Sequence, residues 1–115
     1  RNGAEKSVIC ELRQRVLMKN NMKLNKIKII KSDERGVIYD CGNSSFITRK
    51  KGTVGADHTH NDSEIIYLVK GEIELTINNE IKIVKAPIMF KIDSNVYHKV
   101  VALTDIDFVI DRSGE

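Results

Sequence analysis

Three histidines and one glutamate are the residues of this sequence whose types and spacing most favour chemistry. His58 and His60 flank a single threonine, Glu64 follows four residues after His60, and His98 lies much further along the chain. Residues i and i+2 of a β-strand point to the same side, so His58 and His60 can direct two imidazoles at one point. We predict that Glu64 and His98 complete a metal site there.

The ligand types narrow the choice of metal. Imidazole nitrogens combined with a carboxylate oxygen suit Fe(II), Mn, Co, Ni or Zn. Four protein ligands on a six-coordinate ion leave positions open for water or a substrate. The spacing alone fits a second interpretation, because His-x-His pairs also occur on exposed loops and a lone histidine such as His98 often has a structural role.

The elements that would position these residues are short β-strands. From Met22 onward apolar and polar residues alternate, as in Glu72 to Ile77, and turn residues recur at short intervals. Such a pattern is typical of an all-β sandwich or barrel, with a loop at residues 50–57 that carries two glycines. We predict about nine strands, near residues 24–29, 37–41, 45–49, 64–69, 72–77, 81–84, 88–92, 97–103 and 106–110.

The N-terminal arm, residues 1–21, differs from the rest of the chain in pattern and charge. Its apolar residues Val8, Leu12 and Val16 recur every four positions, which predicts a short helix. The arm also carries the whole formal net charge of +3, whereas residues 22–115 hold equal numbers of acidic and basic side chains. The body therefore has no overall attraction for a polyanion, and we expect no nucleic-acid partner.

Other classes of protein are excluded by what the chain lacks. No apolar run is long enough to span a bilayer, and no secretory signal is evident, so we expect a cytoplasmic protein without a membrane partner. The chain begins with Arg1 rather than Met, which is typical of a fragment. Cys10 and Cys41 are far apart and not in a CxxC spacing, so we expect two buried thiols.

The histidine segment resembles a known family. Gly52, His58, His60, Glu64 and Gly71 stand at the spacings of the first cupin motif. The second motif is poorer: only its histidine, His98, is kept, while Pro87, Asp93, Asn95 and Ala102 replace its other fixed residues. The resemblance covers roughly residues 23–112. It implies a small RmlC-like cupin barrel, or jelly roll, over residues 22–115, with the metal inside and frequent pairing into dimers.

Two features of the sequence bear on that resemblance. Asn tolerates the left-handed conformation that Gly adopts, so Asn95 can form the turn before the His98 strand. In the segment from Glu64 to Val69 both faces are apolar, apart from Glu64 itself, and a strand of this kind needs cover on both sides. The cover can be a second sheet, the N-terminal helix or a partner subunit, and we expect a homodimer.

The sequence leaves three functions open, each of which involves a small-molecule ligand or substrate. One is sugar isomerisation or epimerisation, because Asp33-Glu34-Arg35-Gly36 is similar to a stretch in nucleotide-sugar cupins. Another is Fe-dependent oxidation by O2, as in cupin dioxygenases, which an apolar pocket would suit. The third is a binding or sensing module without catalysis. No catalytic residue is evident beyond the metal ligands, and the candidate substrate-binding residues are Arg35, Arg49, Ile66 and Phe90.

Overall fold

The computed structural model describes residues 22–112. Within that range the chain forms ten β-strands and no helix. The predicted helical arm, residues 1–21, lies outside the described residues. The strands are β1 Lys28–Asp33, β2 Gly36–Asp40, β3 Ser44–Arg49, β4 Val54–His58, β5 Glu64–Lys70, β6 Glu72–Ile77, β7 Glu80–Lys85, β8 Ile88–Ile92, β9 His98–Ala102 and β10 Ile106–Asp111.

The strands form two antiparallel sheets. One sheet has six strands in the order β1-β2-β3-β10-β5-β8, and the other has four in the order β4-β9-β6-β7. Many neighbours are distant in sequence, so the chain crosses repeatedly between sheets, as in a jelly roll. The predicted all-β barrel is confirmed. The buried residues of both sheets form its core: Ile47, Ile66, Leu68, Ile73, Leu75, Ile92, Val100, Ala102, Ile106 and Phe108.

Strand β5 shows how the alternating sequence builds this core. Glu64, Ile66 and Leu68 are all buried, as the predicted shared face requires. On the opposite face Tyr67 is 40% exposed and Val69 is 55% exposed. Ile65 on this face is half-buried, but residues 22–112 leave Tyr67 and Val69 largely uncovered.

Two strand predictions need correction. Residues 50–57 were expected to form a loop, but β4 begins at Val54 and pairs with β9. The glycine in β4, Gly55, lies directly against Val100, and partners on a distant strand are invisible to local pattern. The first strand was expected at residues 24–29 but begins at Lys28, because its bounds follow from pairing with β2 rather than from its exposed side chains.

Positive φ angles explain two of the turn residues. Asn95 has a φ of 62°, so the prediction that it forms the left-handed turn before His98 is confirmed. Gly71, between β5 and β6, has a φ of +98°. A Cβ atom there would lie 2.6 Å from Ile106 Cγ2 and 2.7 Å from Thr104 Oγ1, so only glycine fits both the conformation and the space.

Two further expectations concern cysteines and membranes. Cys41 is exposed, so the expected burial of its thiol is wrong. The reason is its place in the turn between β2 and β3, where its backbone N–H donates to Ser44 O. Cys10 lies outside the described residues. Within residues 22–112 no helix is long and apolar enough to cross a membrane.

Candidate metal site

The two sheet-borne histidines meet at one end of the four-stranded sheet. His58 is the last residue of β4 and His98 is the first residue of β9. They are direct partners in the antiparallel ladder, and His98 also pairs with Ile77 of β6. The ladder therefore fixes the backbone from which two imidazoles project, 40 residues apart in sequence.

His60 reaches the same place by a different route from the one expected. It lies in the loop between β4 and β5, so strand alternation does not align it with His58. Two contacts hold it instead. Its Nδ1 lies 2.8 Å from Asp62 O, and its carbonyl accepts a hydrogen bond of 2.8 Å from Asn95 N. The second contact ties His60 to the turn that leads into His98.

The three imidazoles surround a common point. Their ring centroids are 4.9 Å apart for His58 and His60, 4.6 Å for His58 and His98, and 5.0 Å for His60 and His98. One candidate ligand atom from each ring lies within 4.8 Å of the other two. Rings at steep mutual angles, such as 90° between His58 and His98, present their edges rather than stack, which is how imidazoles share an ion.

Hydrogen bonding at the far side of two rings sets their tautomers. Nδ1 of His60 faces Asp62 O, and Nδ1 of His98 lies 3.0 Å from Val96 O. A carbonyl oxygen only accepts, so in each neutral ring Nδ1 carries the proton and Nε2 has a free lone pair. Both Nε2 atoms are buried and have no hydrogen-bond partner. This arrangement is typical of metal-ligating histidines, and a divalent cation fits it.

His58 is held ready for the same role electrostatically. Burial lowers the pKa of its imidazole below the usual 6.5, and the neighbouring His98 and His60 lower it further. A lowered pKa keeps His58 neutral, with a lone pair free for a metal, to more acidic pH than an ordinary histidine.

Glu64 lies beside the three histidines rather than within their group. It is buried, and its Oε1 lies 3.5 Å from His60 Nε2. Its Oε2 lies 3.5 Å from Nε of Arg112. The carboxylate is thus near enough to contribute to a metal site while also balancing a cation. Its role as fourth ligand stays a prediction.

Arg112 was not anticipated from the sequence. It follows β10 directly, and β10 pairs with β5 so that Asp111 stands opposite Ile65. That register brings Arg112 next to Glu64. No local motif signals the contact, because it depends on two strands 40 residues apart becoming neighbours.

A cavity of about 190 Å³ opens onto the site. Among its walls are His58, His98, Glu64 and two of the four predicted substrate-binding residues, Arg49 and Ile66. The remaining lining is mostly apolar: Ile38, Ile47, Gly55, Ala56, Val100, Phe108 and Ile110, with Arg112 as the second cation. Phe90 packs against the core and lines other pockets.

Arg49 is unusual among the cavity residues. It is only 7% exposed. Its Nη1 donates a hydrogen bond of 3.0 Å to Thr48 O, whereas its buried Nε has no hydrogen-bond partner. Burial lowers the pKa of this guanidinium, and the nearby Arg35 lowers it further, partly offset by Asp33. An arginine remains charged under these conditions, so the cavity contains a buried positive charge.

The fourth predicted substrate-binding residue, Arg35, lies elsewhere. It stands in the turn between β1 and β2, where its Nη2 contacts Asp33 Oδ2 at 3.2 Å. Hydrogen bonds from Arg35 to Asp33 lower the pKa of that carboxyl. Arg35 does not line the histidine cavity, and its part in substrate binding stays a prediction.

Tyr97 is next to His98 but does not line the cavity either. Its hydroxyl donates a hydrogen bond of 2.5 Å to Asp57 Oδ1, and this bond raises the pKa of Tyr97. The tyrosine therefore connects the residues preceding His58 and His98 rather than offering a proton to a ligand.

Comparison with known proteins agrees with this architecture. The family model described as "Cupin domain" matches residues 45–110. No curated protein sequence matches the chain. Among solved structures, an RmlC-like cupin from Shewanella frigidimarina is similar, with a TM-score of 0.64, 22% identity, and coverage of 74% of this chain and 81% of that one.

Two other structures extend the likeness. KdgF from a Halomonas species has a TM-score of 0.54 and 24% identity, with coverage of 74% of this chain and 73% of that one. An oxalate decarboxylase has a TM-score of 0.66 and 20% identity, covering 76% of this chain but only 28% of that one. At such identities the likeness concerns the fold.

Proposed function

The chain belongs to the cupin family, and from that premise we propose that it binds one divalent transition metal in its barrel and acts on a small molecule there. His58, His60 and His98 are the proposed metal ligands, with Glu64 as the fourth. The metal would supply Lewis acidity or redox chemistry to a molecule in the cavity.

The observation that carries this proposal is the pair of buried Nε2 atoms on His60 and His98, neither of which makes a hydrogen bond. A buried polar atom without a partner costs about 1–3 kcal/mol, so protein interiors rarely keep one without a use. Here two such atoms share one centre with His58, and each ring is oriented by its own backbone carbonyl. A metal ion would satisfy both lone pairs at once.

Mixed nitrogen and oxygen donors leave Fe, Mn, Co, Ni and Zn as candidates. The proposal is tested by removing metal with EDTA and titrating each ion back, with binding followed calorimetrically. One ion per chain is expected for wild type, and a tenfold or greater loss of affinity for Glu64→Gln if Glu64 is a ligand. Unchanged affinity in that variant would reduce the ligand set to the three histidines.

The class of reaction follows from what else faces the cavity. Within the described residues, its titratable lining consists of His58, His98, Glu64 and two arginines. Sugar isomerisation or epimerisation, our first candidate, needs a proton carrier, and Glu64 is the only carboxylate available. It can serve as that base where the metal does not hold both of its oxygens.

Oxidation by O2 is favoured by a different observation. Most of the cavity wall is aliphatic or aromatic, including Ile66, Val100 and Phe108, and a water-poor lining suits Fe(II) chemistry with oxygen. Oxygen uptake by the Fe(II)-loaded protein, measured with candidate diols and sugars, separates the two reactions. Tight capture of a ligand without either turnover would favour a binding or sensing module.

A homodimer is the proposed assembly. The outer face of β5 is apolar, and its Tyr67 and Val69 are exposed. Tyr67 pairs directly with Met89 of the edge strand β8, and the Met89 side chain is 56% exposed. A second copy of the chain could cover this patch. Light scattering is expected to show a dimer for wild type and a smaller species for Met89→Glu, whereas Lys50→Glu, at an exposed position after β3, serves as the charge control.

A further inference from the structure

Arg49 is a buried cation without a carboxylate in contact with it among the described residues; Asp33 acts on it only from a greater distance. Within residues 22–112 no carboxylate lies within ion-pair distance of it, although Arg35 pairs with Asp33 and Arg112 contacts Glu64. The only hydrogen bond of its side chain to residues 22–112 is from Nη1 to its neighbour's carbonyl, Thr48 O, and Nε is left without an acceptor.

An unbalanced buried charge is expensive to maintain. Taking a guanidinium out of water is compensated in most proteins by a carboxylate or by several acceptors, and Arg49 has one carbonyl. An anion entering the cavity would supply the negative charge and the hydrogen-bond acceptors that Arg49 lacks. The residue thus has the features of a binding group rather than of a structural ion pair.

The position of Arg49 separates it from the metal ligands. It ends β3 opposite Ile106, the first residue of β10, whereas Ser44 at the other end of β3 pairs with Asp111. Glu64 and Arg112 lie near that other end. Five residues of strand, at about 3.3 Å each, separate the two backbone positions by roughly 16 Å. The cavity nevertheless includes Arg49 together with His58 and His98.

We propose that this cavity binds a small carboxylic acid lengthwise, with its carboxylate on Arg49 and an oxygen donor of its other end at the histidine site. The metal end of the proposal rests on the proposed function, but the Arg49 end does not. The cavity, at about 190 Å³, is smaller than a drug-sized pocket, so the acid is short.

The chemistry of the guanidinium selects a carboxylate over a phosphate. With Nη1 bound to Thr48 O, the edge formed by Nε and Nη2 is left, and this planar fork matches the two oxygens of a carboxylate. A phosphate has three oxygens to satisfy. The walls near Arg49 are apolar, among them Ile47 and Phe108, and offer no further donor.

Hexanoate and 1-hexanol test the Arg49 end without any metal. In EDTA-treated protein, NMR titration is expected to show hexanoate binding at least about tenfold more tightly than hexanol. Arg49→Met should lose at least about 30-fold in hexanoate affinity, because truncating one member of a buried charge pair costs that much or more. Arg49→Lys, which keeps the charge but not the fork, should fall between them.

Lys50→Met is the matched control, since it removes one positive charge from the exposed neighbour and should change hexanoate affinity less than twofold. Thermal melts of all variants establish that they are folded. Equal binding of acid and alcohol by wild type, unchanged affinity in Arg49→Met, or tighter binding of inorganic phosphate than of hexanoate would each overturn the carboxylate subsite.

A second arm tests the lengthwise orientation. In metal-loaded protein, 6-hydroxyhexanoate should bind more tightly than hexanoate, and this gain should disappear after EDTA treatment. If the gain is missing while Arg49-dependent binding of hexanoate persists, the metal end is wrong and the Arg49 end stands. If metal binds but no acid does, the inference fails and the proposed metal site survives.

Discussion

Replacing His98 by leucine separates the cost of the proposed metal site from its benefit. His98 is 1% exposed, its Nδ1 contacts Val96 O, and its Nε2 has no partner. Leucine fills a similar volume without polar atoms. Without metal, the substitution removes one unpaired nitrogen and leaves one carbonyl oxygen without its donor.

These two effects nearly cancel. A buried unpaired polar atom costs about 1–3 kcal/mol, and the carbonyl left behind costs a similar amount. We therefore expect the free energy of unfolding of the metal-free protein to change by less than about 1.5 kcal/mol. An ordinary truncation at a site this buried typically costs about 2–5 kcal/mol.

With metal present, the difference becomes large. A ligand at 100 times its dissociation constant stabilises the folded state by about 2.7 kcal/mol, which corresponds to roughly 10–20 °C in Tm for a domain of this size. His98→Leu removes one of three imidazoles and should lose most of this gain. We therefore expect His98→Leu to reduce the stabilisation by metal and to leave the stability of the metal-free protein nearly unchanged.

Urea unfolding with EDTA and with saturating Zn or Mn measures both quantities. Val101→Ala is the control, because Val101 lies on the same strand but does not line the cavity. It should lose some basal stability and keep the full metal-dependent gain. A His98→Leu protein that retains the wild-type gain would refute the assignment of His98 as a ligand, and a wild type without any gain would refute the site.

Three further predictions concern stability. Arg49→Met should raise the free energy of unfolding of the ligand-free protein by about 1–2 kcal/mol in urea titrations, because it removes an unpaired buried charge; a decrease would indicate a structural role. Gly71→Ala should destabilise by at least about 2 kcal/mol through its positive φ and the crowding of the new Cβ, whereas Gly42→Ala, with a φ of +89° and open space, should cost less in the same assay. The pKa of His58 is lowered in the folded state, so at mildly acidic pH the unfolded chain binds more protons than the folded one, and the stability of the metal-free protein should fall as the pH is lowered from 7 to 5. Urea denaturation at three pH values should show a weaker dependence of the free energy of unfolding on pH for His58→Gln than for wild type. An equal dependence in the two proteins would contradict the pKa argument.

The sequence predicts the fold well because alternation is a local property. Ile66 and Leu68 fall on the buried face of β5 at the expected period, and the turn at Asn95 follows from its tolerance of positive φ. Strand β4 was missed because its glycine, Gly55, and its exposed residues give no apolar–polar alternation. Only its ladder with β9 defines it.

The sequence predicted which histidines form the site but not the contacts that hold them in place. The spacing of His58, His60 and His98 identified the three residues that the structure brings together. It did not reveal that His60 is held by a loop rather than a strand, nor that Arg112 reaches Glu64. The contact between Arg112 and Glu64 depends on the register of β5 against β10, which residues nearby in sequence do not encode.

The substrate-binding candidates divide for a similar reason. Arg35 and Arg49 are both basic residues next to turns, and sequence gives no means of ranking them. Backbone pairing turns Arg49 inward, whereas Asp33, two residues before Arg35, provides a local partner at the surface. Burial and the lack of an ion-pair partner, both products of the fold, distinguish Arg49, the proposed binding group, from Arg35 in its turn.

Metal content of the purified protein tests the central claim most directly. After dialysis against Fe(II), Mn, Co, Ni or Zn and removal of unbound ions, elemental analysis is expected to find one ion per chain for at least one metal. The double variant His58→Ala/His60→Ala, shown to be folded by circular dichroism, should hold none. Wild type that retains no metal, or a double variant that retains as much as wild type, would contradict the account.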